Sequence, residues 1–326
     1  MTVANEDRGI PLPEDPSYNH QYAQINGIRM HFIDVGPRDG VPLVLVHGFP
    51  DIWYGWRHQI EHLRATYRVI VADNRGFGET DAPVDDEAYR RKSVTQDYAA
   101  LLDHLNIPRA VFIGHDWGGI VVWKMCLFHP DRVLAVASIC TPYFPTPASR
   151  DDASLVNKFP EFAYWHTFSD DATATMLNAH TANALHFMYG NPPTTRPASF
   201  VAAILAFPEL TFQLPHPPIL SAPEFDYYVR TFTARGFGGA LKWYKADELD
   251  WDDLSDRPMA QIPHRALFIG ADADMVLRPY MSEGMEKLIP HLTRVHIEDG
   301  NHWVHWKKCA QVNGILDNWL ASLANL

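Results

Sequence analysis

The spacing of hydrophobic and polar positions changes period along this chain, and each change marks an element. Apolar and polar residues alternate over Gln21–Ile25 and again over Arg29–Val35, the period of a half-buried strand. The Asn26-Gly27 between them is a hairpin turn signal. Pro42-Leu-Val-Leu-Val-His47 then forms a continuous apolar run without alternation, the pattern of a strand buried on both faces. The same pattern recurs at Arg68–Ala72, Ala110–Gly114, Leu134–Ile139, Arg265–Gly270 and Arg294–Ile297. Helical spacing fills the intervals, at Tyr54–Arg64, Val94–Leu105, Gly118–Phe128, Pro279–Ile289 and Trp306–Leu323. Strands alternating with helices predict an α/β fold: a mostly parallel sheet, helices on both faces and the opening hairpin at one edge.

The alternation stops at 142 and resumes after 257. This interval has no buried-strand run, holds 20 of the chain's 40 aromatic residues, and is broken by Asn191-Pro192-Pro193 and by Leu214-Pro215-His216-Pro217-Pro218. The expected organisation is therefore an α/β core over 1–141 and 258–326, interrupted by a helical cap over 142–257 that covers the ends of the sheet.

Composition narrows the functions open to such a fold. Among 326 residues, 47% are hydrophobic and 20% charged, as in a globular protein with a sizeable core. A net charge of −12 argues against nucleic acid as a partner, because phosphate binding needs a basic face. Cys126, Cys140 and Cys309 are too few and too apolar in context for a disulfide framework. The opening MTVANEDRGIPLPEDP has neither a basic region nor an apolar one, and no apolar run reaches a membrane span. These features predict a cytoplasmic protein with no membrane segment.

The densest chemical signal is Gly114-His-Asp-Trp-Gly-Gly119, placed between an apolar strand and a helix. Gly-x-nucleophile-x-Gly in that context is a nucleophile elbow, a sharp turn that thrusts its apex residue into a cavity. The apex here is Asp116, where serine hydrolases carry serine. A carboxylate is already ionised at neutral pH and needs no base to become a nucleophile. It displaces at saturated carbon and leaves an alkyl ester that water must cleave, which points to epoxides or alkyl halides as substrates.

Three other segments complete that chemistry. His47-Gly48-Phe49-Pro50 follows the first buried strand, so the N–H of Phe49 and that of Trp117 are expected to form the oxyanion hole, with Pro50 after a cis bond. His302 follows the last strand and is the expected base for the water step. Either Asp272 or Asp274, both at the end of the preceding strand, could orient it. Tyr164 and Tyr244, in the aromatic interval, are candidate proton donors to a ring-opened alkoxide.

With these parts in place the chain resembles the soluble epoxide hydrolase family of the α/β-hydrolases. The resemblance is carried by His47-Gly-Phe-Pro50, Trp56-Arg-His-Gln-Ile60, Gly114–Gly119, Trp243-Tyr244, Asp274-Met-Val-Leu277, Ile289-Pro-His-Leu292 and His296–Trp303. It implies Asp116 as nucleophile, Asp274 as charge-relay partner, His302 as base, and Tyr244 and Tyr164 as the ring-opening pair. Tyr164 stands among neighbours unusual for the family. The resemblance also implies a substrate lining of Phe49, Trp117, Tyr164, Tyr244 and Trp303, a small apolar epoxide and water as reactants, and no metal or cofactor. Asn301 replaces the glycine usual before the histidine, and the chain is too short for the phosphatase domain of the mammalian members. Oligomeric state is left open, a homodimer included.

Competing readings rest on specific residues. A haloalkane or haloacid dehalogenase would use the same elbow Asp, with Trp117 as halide donor, but Phe49 stands where many dehalogenases carry asparagine. A non-catalytic ligand receptor would be expected to lack a triad member. His58-Gln-Ile-Glu61-His62 fits a zinc pattern, although the family match at Trp56–Ile60 accounts for it structurally.

Overall fold

A computed structural model describes residues 9–195, 197, 199–246 and 249–323. Eight strands form one sheet: β1 (His20–Ile25), β2 (Ile28–Val35), β3 (Pro42–Val46), β4 (Arg68–Ala72), β5 (Ala110–His115), β6 (Val133–Ile139), β7 (Ala266–Ala271) and β8 (Leu292–Ile297). Their order is β1-β2-β4-β3-β5-β6-β7-β8. β2 runs antiparallel to both its neighbours, and every pairing from β4 to β8 is parallel. The β1–β2 hairpin turns on Asn26 and Gly27, both at positive φ (47° and 81°), as a two-residue turn that follows the strand twist requires.

The helices of the sheet-forming part are α1 (Arg57–Leu63), α2 (Arg91–His104) and α3 (Trp117–Phe128). Between β6 and β7 come α4 (Leu155–Lys158), α5 (Tyr164–Phe168), α6 (Asp171–Ala179), α7 (Thr181–Met188), α8 (Phe200–Leu205), α9 (Ala222–Arg235), α10 (Gly238–Lys245) and α11 (Asp250–Leu254). The last two are α12 (Val304–Lys307) and α13 (Cys309–Ser322). The unbroken apolar runs of β3, β4 and β5 lie at the centre of the core, with Leu43, Leu45, Val71 and Ile113 fully buried.

Two predicted helices take another form. Over 279–289 the chain makes two short 3-10 turns, Pro279–Ser282 and Met285–Lys287, because Gly284 between them sits at φ 78°, outside any right-handed helix. Trp306–Leu323 is not one helix: the chain breaks at Lys308 (φ −117°, ψ 35°) between α12 and α13. Trp303, Val304, His305 and Trp306 are all buried, and four consecutive residues cannot share one face of a straight helix.

Buried polar contacts join the helices between β6 and β7 to the rest. Asp250 accepts from the N–H of Arg91 (2.7 Å) and so caps the start of α2. Arg91 also donates to the carbonyl of Trp243 (2.9 Å). Arg57, 1% exposed, pairs with Glu224 of α9 (2.7 Å).

Strand order reverses at β3, which lies between β4 and β5. The chain after β3 and the chain after β5 therefore leave the sheet side by side in opposite senses, and the carboxyl ends of such neighbours open a crevice. Gly48-Phe49 and Asp116 stand at these two ends.

Candidate active site

The turn after β5 is tight and strained. Asp116 has φ 53° and ψ −123°, a conformation that L-residues rarely adopt, and α3 begins at the next residue. This geometry needs glycine at neighbouring positions. A Cβ on Gly118 would overlap the backbone of Val46, and one on Gly48 would overlap the Asp116 carboxylate. The peptide bond Phe49–Pro50 is cis.

The N–H of Phe49 donates to Asp116 Oδ1 at 2.7 Å, and the N–H of Trp117 also stabilises the carboxylate. Burial pushes the Asp116 carboxyl above its ordinary value; the His302 charge and these two backbone bonds oppose that rise. Both N–H groups named from sequence as oxyanion donors thus point at the elbow carboxylate.

His302 Nδ1 donates to Asp274 Oδ2 at 2.9 Å, and its Nε2 lies 3.5 Å from Asp116 Oδ2. Asp274 is fully buried, and its Oδ1 accepts from the N–H groups of Val276 (2.8 Å) and Leu277 (3.0 Å). Burial would raise this carboxyl, but the His302 charge and the three hydrogen bonds hold it below the usual range. Burial would likewise strip the proton from His302; Asp274 first, and Asp116 after it, outweigh burial and raise the imidazole to about 9. Asp272, the other acid left open by the sequence, is exposed and bonds His296 (2.9 Å).

Tyr164 opens α5 and Tyr244 lies in α10, with ring centroids 6.0 Å apart. Both are buried, and burial pushes both hydroxyls above their ordinary value, with the Asp116 charge adding to the rise. They stay protonated donors. A cavity of about 100 Å³ is lined by Phe49, Asp116, Tyr164, Tyr244, His302 and Trp303. Trp117 lines a second, smaller pocket that Asp116, Tyr164 and Val276 also border. The edge of the Trp303 indole is tied down by a bond from Nε1 to the carbonyl of Met188 (2.8 Å).

The residues of the zinc-like motif have other partners: His62 bonds Asp317 (2.8 Å) and Glu61 bonds Arg64 (2.8 Å). His115, directly before the elbow acid, is fully buried. Its Nε2 donates to the carbonyl of His302 (2.8 Å) and so holds the loop that carries His302. Behind it, Asp51, His115 and His305 bring one polar atom each within 4.8 Å of one another, all buried. Tyr228 donates to Asp51 (2.9 Å), and burial pushes that carboxyl up to about 8. No motif marks this cluster, because Asp51 follows β3, His115 ends β5 and His305 lies in α12. The one available signal was a histidine directly before the elbow acid.

The arrangement can deliver a carboxylate to an electrophile, hydrogen-bond the leaving oxygen from the opposite side, and activate water with an imidazole. Residues 41–308 match the α/β hydrolase fold family model. Bifunctional epoxide hydrolase 2 of Mus musculus is 37% identical over 95% of this chain, which spans only 57% of that relative's length. Epoxide hydrolase A of Mycobacterium tuberculosis is 33% identical, over 91% of this chain and 96% of its own. The crystal structure of Epoxide Hydrolase A from Mycobacterium thermoresistibile superposes with a TM-score of 0.82 at 32% identity, covering 93% of this chain and 98% of that one. A sequence relationship of this extent, on a shared fold, places the chain in the epoxide hydrolase family of the α/β-hydrolase superfamily.

Proposed function

We propose that this chain hydrolyses an apolar epoxide to a vicinal diol through an ester on Asp116. An Asp116 oxygen attacks one oxirane carbon, and that carbon's bond to the ring oxygen breaks. The released oxygen takes a proton from the Tyr164–Tyr244 pair, which spares the step a free alkoxide. His302, held in one orientation by Asp274, takes a proton from water. The resulting hydroxide adds to the ester carbonyl of Asp116, and the N–H groups of Phe49 and Trp117 hold the oxyanion. Collapse releases the diol and restores the carboxylate; the proton on His302 returns to the tyrosines.

The carrying observation is the elbow carboxylate set between His302 at 3.5 Å and a buried tyrosine pair lining the same cavity. In this reading the helices over 142–257 act as a cap that supplies the proton donors. The test is incubation with styrene oxide and with 1,2-dibromoethane, with diol and bromide measured separately. Diol from the first with no bromide from the second is the expected result. Bromide release without diol would replace this reading with a dehalogenase.

A further inference from the structure

In the sheet, β6 lies between β5, which carries the elbow, and β7, which leads to Asp274. The chain leaves β6 through Cys140-Thr141, and the two side chains reach different halves of the site. Thr141 Oγ1 donates to the backbone carbonyl of Asp116 at 2.7 Å. Cys140 Sγ donates to the carbonyl of His302 at 3.7 Å, the same carbonyl that His115 grips. The Cys140 thiol also bonds the Asp274 side chain, so its one proton is shared between the acid and the loop of the histidine that the acid orients.

The turn itself is firmly held. The N–H of Cys140 donates to the carbonyl of Ile269 in β7 (2.9 Å). The carbonyl of Thr141 accepts from Trp123 Nε1 (3.0 Å) and from Ser138 Oγ (2.7 Å). Both residues are buried, and Cys140 sits at φ 66°, in the left-handed region that costs any residue but glycine energy. Glycine would suit that backbone and forfeit the thiol. On the elbow side, a Cβ on Gly119 would fall 2.5 Å from Thr141 Cβ and 2.6 Å from Ser138 Oγ. The bare Gly119 is what lets Thr141 come close enough to bond Asp116.

We propose that Cys140 and Thr141 are positioning residues for separate halves of the reaction: Thr141 fixes the elbow backbone that aims Asp116, and Cys140 holds the Asp274–His302 pair for the water step. The inference rests on the epoxide hydrolase reading above. Its test is single-turnover rapid quench of the full chain with styrene oxide, with ester formation and ester hydrolysis read from the mass of the Asp116 peptide. Thr141→Val should slow ester formation about three- to tenfold, the scale of one neutral hydrogen bond, and leave hydrolysis within about twofold. Cys140→Ala should do the reverse. Thr141→Ser and Cys140→Ser each keep a donor in place and should recover most of the loss. Thermal unfolding of each variant confirms that it folds. Cys140→Gly, relieved of the left-handed strain, should fold and still hydrolyse the ester slowly, which separates the thiol from the backbone.

Equal slowing of both steps by either change would overturn the separate roles while leaving the epoxide hydrolase reading intact. Wild-type rates in Thr141→Val or in Cys140→Ala would overturn the role of that residue. A serine at 140 as slow as alanine would overturn hydrogen-bond donation as the means. Wild-type protein that forms no ester and no diol from any epoxide would remove the parent reading and this one with it.

Discussion

His302 Nε2 lies 3.5 Å from Asp116 Oδ2, longer than an ordinary hydrogen bond and short enough for each charge to act on the other. In the proposed mechanism the consequence is a coupling between the two chemical steps. While Asp116 is an anion it helps keep a proton on His302, whose affinity is raised to about 9. Esterification as proposed would remove that negative charge, so His302 would give up its proton more readily when a base is needed.

Replacing His302 by Gln should therefore leave the first step and stop the second. A single burst of epoxide consumption, equal to the enzyme present, is expected, with the Asp116 peptide heavier by the mass of the substrate. Continued diol release by this variant would sink the assignment of the base.

Asp116→Asn removes the nucleophile while conserving shape. A loss of about 10³-fold or more in kcat/KM is expected. Mass spectrometry of the same sample should find no adduct, and should also exclude reversion by deamidation.

Tyr164→Phe and Tyr244→Phe each delete one donor to the departing oxygen. Because the two share the task, each single change should slow ester formation in rapid-mixing experiments by about 10–10²-fold. The double change should approach the 10²–10⁴-fold that general acid catalysis typically supplies. A double variant no slower than either single would show that only one hydroxyl takes part.

Asp51 makes stability depend on pH in a way that can be isolated. Its carboxyl titrates near 3.8 when unfolded and at about 8 in the native protein, so its contribution is full below about pH 4 and is lost as pH rises toward 8. From pH 4.5 to 6.5 the unfolded chain holds Asp51 ionised and the native one holds it neutral. His302, raised relative to 6.5, has its own contribution intact over that window. Asp51→Asn should gain on the wild type by up to about 1.4 kcal/mol per pH unit there, as denaturant titrations at matched pH would show. A constant difference across the window would refute the shift.

Gly118→Ala places a methyl group against the Val46 backbone beneath the elbow. A cost of about 1–3 kcal/mol in urea unfolding is expected, with activity falling as the turn shifts.

What could be read from sequence followed from how local each feature is. The β3 and β5 strands are continuous apolar runs, and the elbow packs its chemistry into six residues, so both stood out. Spacing alone left Asp272 and Asp274 both open, because they lie in one short turn; the family resemblance singled out Asp274, and the fold buries it. Regions where one glycine overrides a helical period, as Gly284 does, were misread for the same reason: a single backbone angle outweighs a pattern averaged over ten residues. The Asp51–His115–His305 cluster was invisible, since it exists only where three segments distant in sequence meet.

The reversal of strand order at β3 also bears on how the protein acquires its activity. Phe49 comes from early in the chain and His302 from near its end, with Asp116 and Asp274 between them, all delivered by parallel strands of one sheet that are distant in sequence. Contacts of such range form late, after most of the loop-closure entropy has been lost. Turnover is thus a report on the completed sheet: a refolding experiment scored by activity should lag one scored by secondary structure, because no partial assembly of β3, β5, β7 and β8 can hold all four residues together.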